Sequence, residues 1–316
     1  MHWIDDFRTE LAYVFAEAGT EIARFPYPLS EQGLFMLARF NPLNEGGSTN
    51  YISYLLPYWV REQTEVSPEL CHDLAIGNIF AMLHYFILDD AIDKSAEASG
   101  ENIRSSLVLG QLLHNLFYQR YYRHYPAESP IWQYYDKYIA DWAAAVYHEG
   151  RAPANPFAAR LLARKSSPVK LCAVGVLISA NRQDQIERHE EAVDLALATL
   201  QLADDWADWV DDLVEQNSNA FLSLVKQQLS LDPEAQLDER TVKQAIYQSG
   251  CLDRLAEIAA SNGSRLEEIP YVPQRLVDFH NSLAKGIRRD AQLAEETTRQ
   301  IALGGFSYFL SNIPNK

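Results

Sequence analysis

Cysteine is scarce in this sequence: Cys71, Cys172 and Cys251 are the only three. Their scatter gives neither a disulfide framework nor zinc-type spacing, and it fits a reducing, cytoplasmic setting. Uninterrupted apolar runs are short. The longest, around residues 171–180, falls well below the ~18 residues that cross a bilayer, so no membrane span is expected. The first residues, Met1-His2-Trp3-Ile4-Asp5-Asp6, lack a basic region followed by an apolar core, so no secretory signal is expected. Positive charge is also in deficit, with 27 Lys and Arg against 43 Asp and Glu and a formal net charge of −16. Nucleic acid, whose phosphates are recruited by basic patches, is therefore not an expected partner. An anionic small molecule remains admissible where metal ions carry the positive charge. Also missing are HExxH spacing, a phosphate-cradling glycine loop, a dinucleotide fingerprint, internal repeats and low-complexity linkers.

What is present is helical periodicity, with almost no strand-like alternation. Ser67-Pro68-Glu69 reads as a helix start, with Pro68 in the first helical position. That helix is expected to run through Leu74, Ile79, Met82, Leu83 and Phe86 to an aspartate cluster. Further helices are expected at residues 102–125 and 131–148, then at 168–180, and a long one at 185–215. Shorter ones should follow at 219–229, 239–260 and 274–303. The expected architecture is all-α, a single domain over residues 1–316, a helical bundle around a central active-site cavity.

Two carboxylate clusters sit where apolar helices end. The first holds Asp89, Asp90 and Asp93; the second holds Asp204, Asp205, Asp208, Asp211 and Asp212. At about 100° per residue, Asp89 and Asp93 share one helix face, as do Asp204, Asp208 and Asp212. Carboxylates so aligned repel unless cations lie among them, and Mg²⁺ suits an all-oxygen site that also binds phosphates. Upstream of Asp89 the same face carries Phe86, Tyr85, Met82 and Asn78; upstream of Asp204 it carries Gln201, Leu200 and Leu197. A charged mouth over an apolar, partly aromatic interior is the shape of a site for a diphosphate with a hydrocarbon tail. Metal-clamped diphosphate leaves, and aromatic faces such as Tyr85 and Phe86 stabilise the allylic cation left behind.

The stretches Phe86-Ile87-Leu88-Asp89-Asp90-Ala91-Ile92-Asp93 and Leu200-Gln201-Leu202-Ala203-Asp204-Asp205-Trp206-Ala207-Asp208 resemble the two aspartate-rich motifs of the class I isoprenoid synthase superfamily. That superfamily comprises trans-prenyl diphosphate synthases, class I terpene cyclases and squalene/phytoene synthases. The second stretch is also similar to the cyclase pattern of ligands at i, i+4 and i+8, here Asp204, Asp208 and Asp212. The resemblance covers roughly residues 65–220. It implies a helical bundle, three Mg²⁺ ions and a prenyl diphosphate substrate, and it admits a homodimer.

Two departures separate the subfamilies. Elongating enzymes bind isopentenyl diphosphate through a basic segment near the N-terminus and an arginine pair after the first motif. Here the corresponding segments read Asn44-Glu45-Gly46-Gly47-Ser48-Thr49-Asn50 and Lys94-Ser95-Ala96-Glu97-Ala98, with little positive charge. The expectation is thus a terpene synthase acting on one substrate, a carbon–oxygen lyase; the alternatives are a prenyltransferase and a non-catalytic homologue. The resemblance offers Arg164 (or Arg160), Lys165 and Arg288 as diphosphate-binding residues. Tyr118, Tyr121, Tyr122 and Tyr125 recur at helical spacing and read as packing, and His84 reads as a core or interface residue.

Overall fold

The structure is a computed structural model that describes residues 2–47, 50–93, 100–150 and 153–311, with side chains described at 4–47, 50–92, 103–150 and 153–300. The chain is all-α, and no strand occurs among the described residues. In chain order the α-helices are α1 (Arg8–Ile22), α2 (Leu29–Phe40), α3 (Ile52–Arg61), α4 (Pro68–Asp93), α5 (Gly100–Tyr122), α6 (Ile131–His148) and α7 (Ala159–Leu162). They continue as α8 (Lys170–Ser179), α9 (Ile186–Ala207), α10 (Trp209–Glu215), α11 (Ala220–Gln228), α12 (Glu239–Gln248), α13 (Cys251–Glu268) and α14 (Gln274–Ser311). Two compact units result: Met1–Val146 with Lys165–Glu190 and Tyr271–Leu276, and Tyr147–Arg164 with Glu191–Pro270 and Val277–Lys316.

In the first unit α4 is the central element. Ser67 caps it, its hydroxyl accepting from Leu70 N at 3.3 Å, and Pro68 occupies the first turn where no amide donor is needed. From Leu70 to Leu83 nearly every side chain is buried. A helix that is apolar all round must be enclosed on all sides; α4 packs against α1, α3, α5 and α8. Its Pro68–Ile92 stretch is long and apolar enough to cross a membrane, but 72% of that window is buried inside the protein. Scattered polar residues such as Asn78 and His84 break it up, which is why a search for uninterrupted apolar runs passes over it.

The α4–α5 contact depends on a glycine. A methyl group on Gly77 would stand 2.7 Å from Tyr121 Cε2. Tyr121 cannot swing aside, because it is fully buried and its hydroxyl donates to Asn78 Oδ1 at 2.8 Å. Alanine is the better helix former by up to about 1 kcal/mol, yet overpacking costs roughly 1–3 kcal/mol. Gly77→Ala should therefore destabilise the fold by about 1–2 kcal/mol net, read from the urea midpoint at unchanged slope.

The second unit is built around a core that includes Phe221, Val225, Val242, Leu252, Leu255 and Ile287. Its α11 packs on α10, α12 and α13. The periodicity at 239–260, read as one helix, is in fact two. α12 stops at Gln248, Gly250 adopts the left-handed conformation at φ 67°, and α13 then runs on to Glu268. Glycine enters that region without a Cβ penalty, so Ser249-Gly250 was the legible stop signal. The 185–215 helix also divides, at Asp208, where φ −101° and ψ 5° leave the helical range.

Candidate metal and diphosphate site

The break at Asp208 does not scatter the second cluster. Asp208 N donates to Asp204 O at 2.9 Å, and Asp212 N donates to Asp208 O at 3.0 Å. Helical i to i+4 bonds thus bridge the kink, so Asp204, Asp208 and Asp212 keep one side of the α9–α10 rod. Asp204 and Asp208 are exposed and Asp212 is half-buried. Solvent reaches the Asp204 carboxyl, but protein hems it in. Desolvation, with the charges of Asp205 and Asp208, pushes it up to about 7. Desolvation and the charges of Asp212 and Asp211 raise Asp208 as well. This side of the rod thus carries an electrostatic stress that a bound cation would relieve.

Asp205 turns the other way. Only 6% exposed, it accepts from Gln201 Nε2 at 2.7 Å and from Ala220 N at 2.6 Å. One carboxylate oxygen therefore serves Gln201 of its own helix and the other the start of α11, and we remove it from the expected ligand row. Gln201, expected to line a cavity, is half-buried and engaged in this bond. Leu197 and Leu200 are buried.

Asn219, which the sequence reading passed over, ties these parts together. Its Nδ2 donates to Asp205 O and to Asp212 Oδ2, both at 2.7 Å, while its Oδ1 accepts from Leu222 N at 2.9 Å. It thus caps α11 and fixes the Asp212 carboxylate from a position only 2% exposed. An asparagine directly before Ala220-Phe221-Leu222 was a readable N-cap; its reach back to Asp212 was not. Asn219→Ser keeps a capping oxygen and loses the long amide donor. It should weaken Mg²⁺ binding by about tenfold with a stability loss near 1 kcal/mol, measured by metal titration beside thermal melting.

In the first unit, Asp89 is about one-third exposed at the end of α4, and Lys165 Nζ lies 3.6 Å from its Oδ2. Such a pair in contact with water is worth at most about 1 kcal/mol, so either partner can exchange it for a ligand. Asp90 is exposed, and the Asp93 side chain lies outside the described residues, as do Ser48, Thr49 and residues 94–99. Phe86 stacks on Phe40 at 4.7 Å and stays 39% exposed. Tyr85 packs against Trp142 at 4.9 Å. Met82 is buried, and Asn78 is buried with its amide shared between Tyr121 and Val169 O. The expected diphosphate-binding residues divide as well. Arg164 is half-buried in the second unit, and Arg288 pairs with Asp253 of α13 at 3.2 Å.

Among the described residues no three His, Cys, Asp or Glu side chains already form a metal cage. Mg²⁺ does not ask for one: it keeps several waters and is held by one or two carboxylates plus substrate phosphate oxygens. In the second unit Asp204, Asp208 and Asp212 fit that mode in chemistry, and in the first unit, taken by itself, so does Asp89. Comparison with known proteins adds nothing to this: no family model matches the chain, and no curated protein does.

Proposed function

We propose that the chain is a class I terpene synthase that ionises a linear prenyl diphosphate with Mg²⁺ and converts the cation to a cyclised or rearranged product with release of diphosphate. The observation that carries the reading is the solvent-accessible row Asp204, Asp208 and Asp212, continued across a helix kink, with Asp204 and Asp208 raised by desolvation and by neighbouring carboxylates. It recurs in simpler form at Asp89, again at the end of an apolar helix and beside a lysine. When bound, Mg²⁺ supplies the Lewis acidity that makes diphosphate a leaving group.

The chain's own residues do the rest. Asp89, Asp93, Asp204, Asp208 and Asp212 are the carboxylate ligands, and Asn219 presets Asp212. Lys165 exchanges Asp89 for a phosphate oxygen, adding positive charge where the leaving group accumulates negative charge. Tyr85 and Phe86, one turn before Asp89, are the aromatic residues on this helix that would stabilise the cation. The test is calorimetric binding of inorganic pyrophosphate. Binding that needs Mg²⁺ and disappears in Asp208→Ala supports the reading; pyrophosphate binding without Mg²⁺, or none, contradicts it.

A further inference from the structure

The outer face of α13 carries charge along its length, with Arg254, Glu257, Arg265, Glu267 and Glu268 standing in solvent. The outer face of α5 differs. Between Arg104 and Arg123 its exposed residues are Leu107, Val108, Gln111, Asn115, Gln119 and Tyr122, none of them charged. That stretch covers about four helical turns. Leu107, Val108 and Tyr122 are 50%, 46% and 50% exposed. The side-chain amides of Gln111, Asn115 and Gln119 bond to no other group among the described residues. At the apolar end of this face the Ser105 hydroxyl donates to Gln32 Oε1 of α2 at 2.6 Å, and α2 adds the exposed side chains of Leu34 and Phe35.

A face that lacks charge and carries apolar groups and a tyrosine has the make-up of an interface core. Two observations select the occupant. Each copy of the chain bears a net charge of −16, so two copies repel and can meet only where charge is absent. The spacing is also palindromic: Val108, Gln111, Asn115, Gln119 and Tyr122 follow one another at 3, 4, 4 and 3 residues. Two such helices, packed antiparallel about a two-fold axis at Asn115, set Val108 against the partner's Tyr122 and Gln111 against the partner's Gln119. Asn115 meets its own copy. A carboxamide holds donors and acceptors together, so like pairs with like. An isologous contact requires that self-complementarity; a foreign partner does not.

We propose that the outer face of α5, widened by α2, is the surface through which two copies of this chain form a dimer, with their α5 helices antiparallel. A stable dimer buries about 800 Å² per partner, more than one helix face supplies, and α2 extends the surface at the apolar end. Both helices belong to the first unit. The contact is independent of the metal chemistry proposed above, and either can fail without the other.

Sedimentation velocity of the full chain across a concentration series is the test, with charges placed on the face. Asn115→Lys puts two like charges on the two-fold axis and should raise the dimer dissociation constant by more than about a hundredfold. Helical content, followed by circular dichroism, should not change, because the residue is exposed. Gln111→Lys with Gln119→Lys should also break the dimer. Gln111→Lys with Gln119→Glu should keep it, since opposite charges then face each other across the axis. Within one helix the two positions are about 12 Å apart, too far to pair, so the contrast between the double variants reports the antiparallel contact. A wild type that stays monomeric throughout the series overturns the proposal and leaves the face to another partner. A dimer indifferent to Asn115→Lys, or double variants that behave alike, overturns it as well.

Discussion

Replacing Asp204 with alanine should lower turnover by more than about a hundredfold, beyond the usual cost of losing an outer partner of a metal ligand, while the helical content stays intact. The contrast with its neighbour makes this informative. Asp204 is exposed and raised to about 7 by desolvation and the charges of Asp205 and Asp208. Removing it relieves repulsion, so the variant should melt no lower than wild type. Asp205 is buried and bonded to Gln201 and Ala220 N. Asp205→Ala should therefore lose stability first, by about 1–3 kcal/mol for the orphaned donors. Turnover and melting temperature measured on both variants separate the roles. Equal loss of activity with equal loss of stability would mean that the cluster is only structural.

The second large effect is on stability. Arg120, its side chain 6% exposed, pairs with Glu21 of α1 and, at 2.5 Å, with Asp73 Oδ1 of α4. Arg123 donates to the same Asp73 oxygen at 3.0 Å, and His124 Nε2 donates to Asp73 Oδ2 at 2.8 Å. Arg120→Met takes the nearest cation from Glu21 and one of three partners from Asp73, both largely buried, and should cost about 3 kcal/mol, the low end for breaking a buried pair. The same network sets an acid limit. Burial raises the Asp73 carboxyl, but His124, Arg120 and Arg123 outweigh it and hold the group at about 2 against an ordinary 3.8. A folded value below the unfolded one adds stability that is complete above the ordinary value and is lost as pH falls from about 4 to 2. Unfolding free energy followed across that window should drop in wild type and drop less in Arg120→Met. A flat wild-type profile would contradict the network.

The limits of the sequence are visible in particular residues. Ser67-Pro68 announced α4, and α6 runs over the residues its periodicity marked, because capping and amphipathic spacing are local. The helices before Ser67 went unread, since α1 and α2 break their apolar pattern with exposed aromatics such as Tyr13 and Phe35. The kink at Asp208 was hidden because i to i+4 spacing is identical in a straight and a bent helix. Asp205 looked like its neighbours, and only the partners brought to it by α11, fifteen residues on, distinguish it. The contact of His114 Nε2 with the Tyr135 hydroxyl, at 3.0 Å, depends on how α5 and α6 face each other, which periodicity does not encode.

The central claim is single-substrate ionisation, and one incubation tests it. Purified protein with Mg²⁺ meets linear prenyl diphosphates of ten, fifteen, twenty and twenty-five carbons, each with and without isopentenyl diphosphate, while diphosphate and extractable products are followed together. The account predicts a hydrocarbon or alcohol from one prenyl diphosphate alone. Products formed only when isopentenyl diphosphate is added would contradict it in favour of chain elongation, and no product from any substrate would contradict it outright.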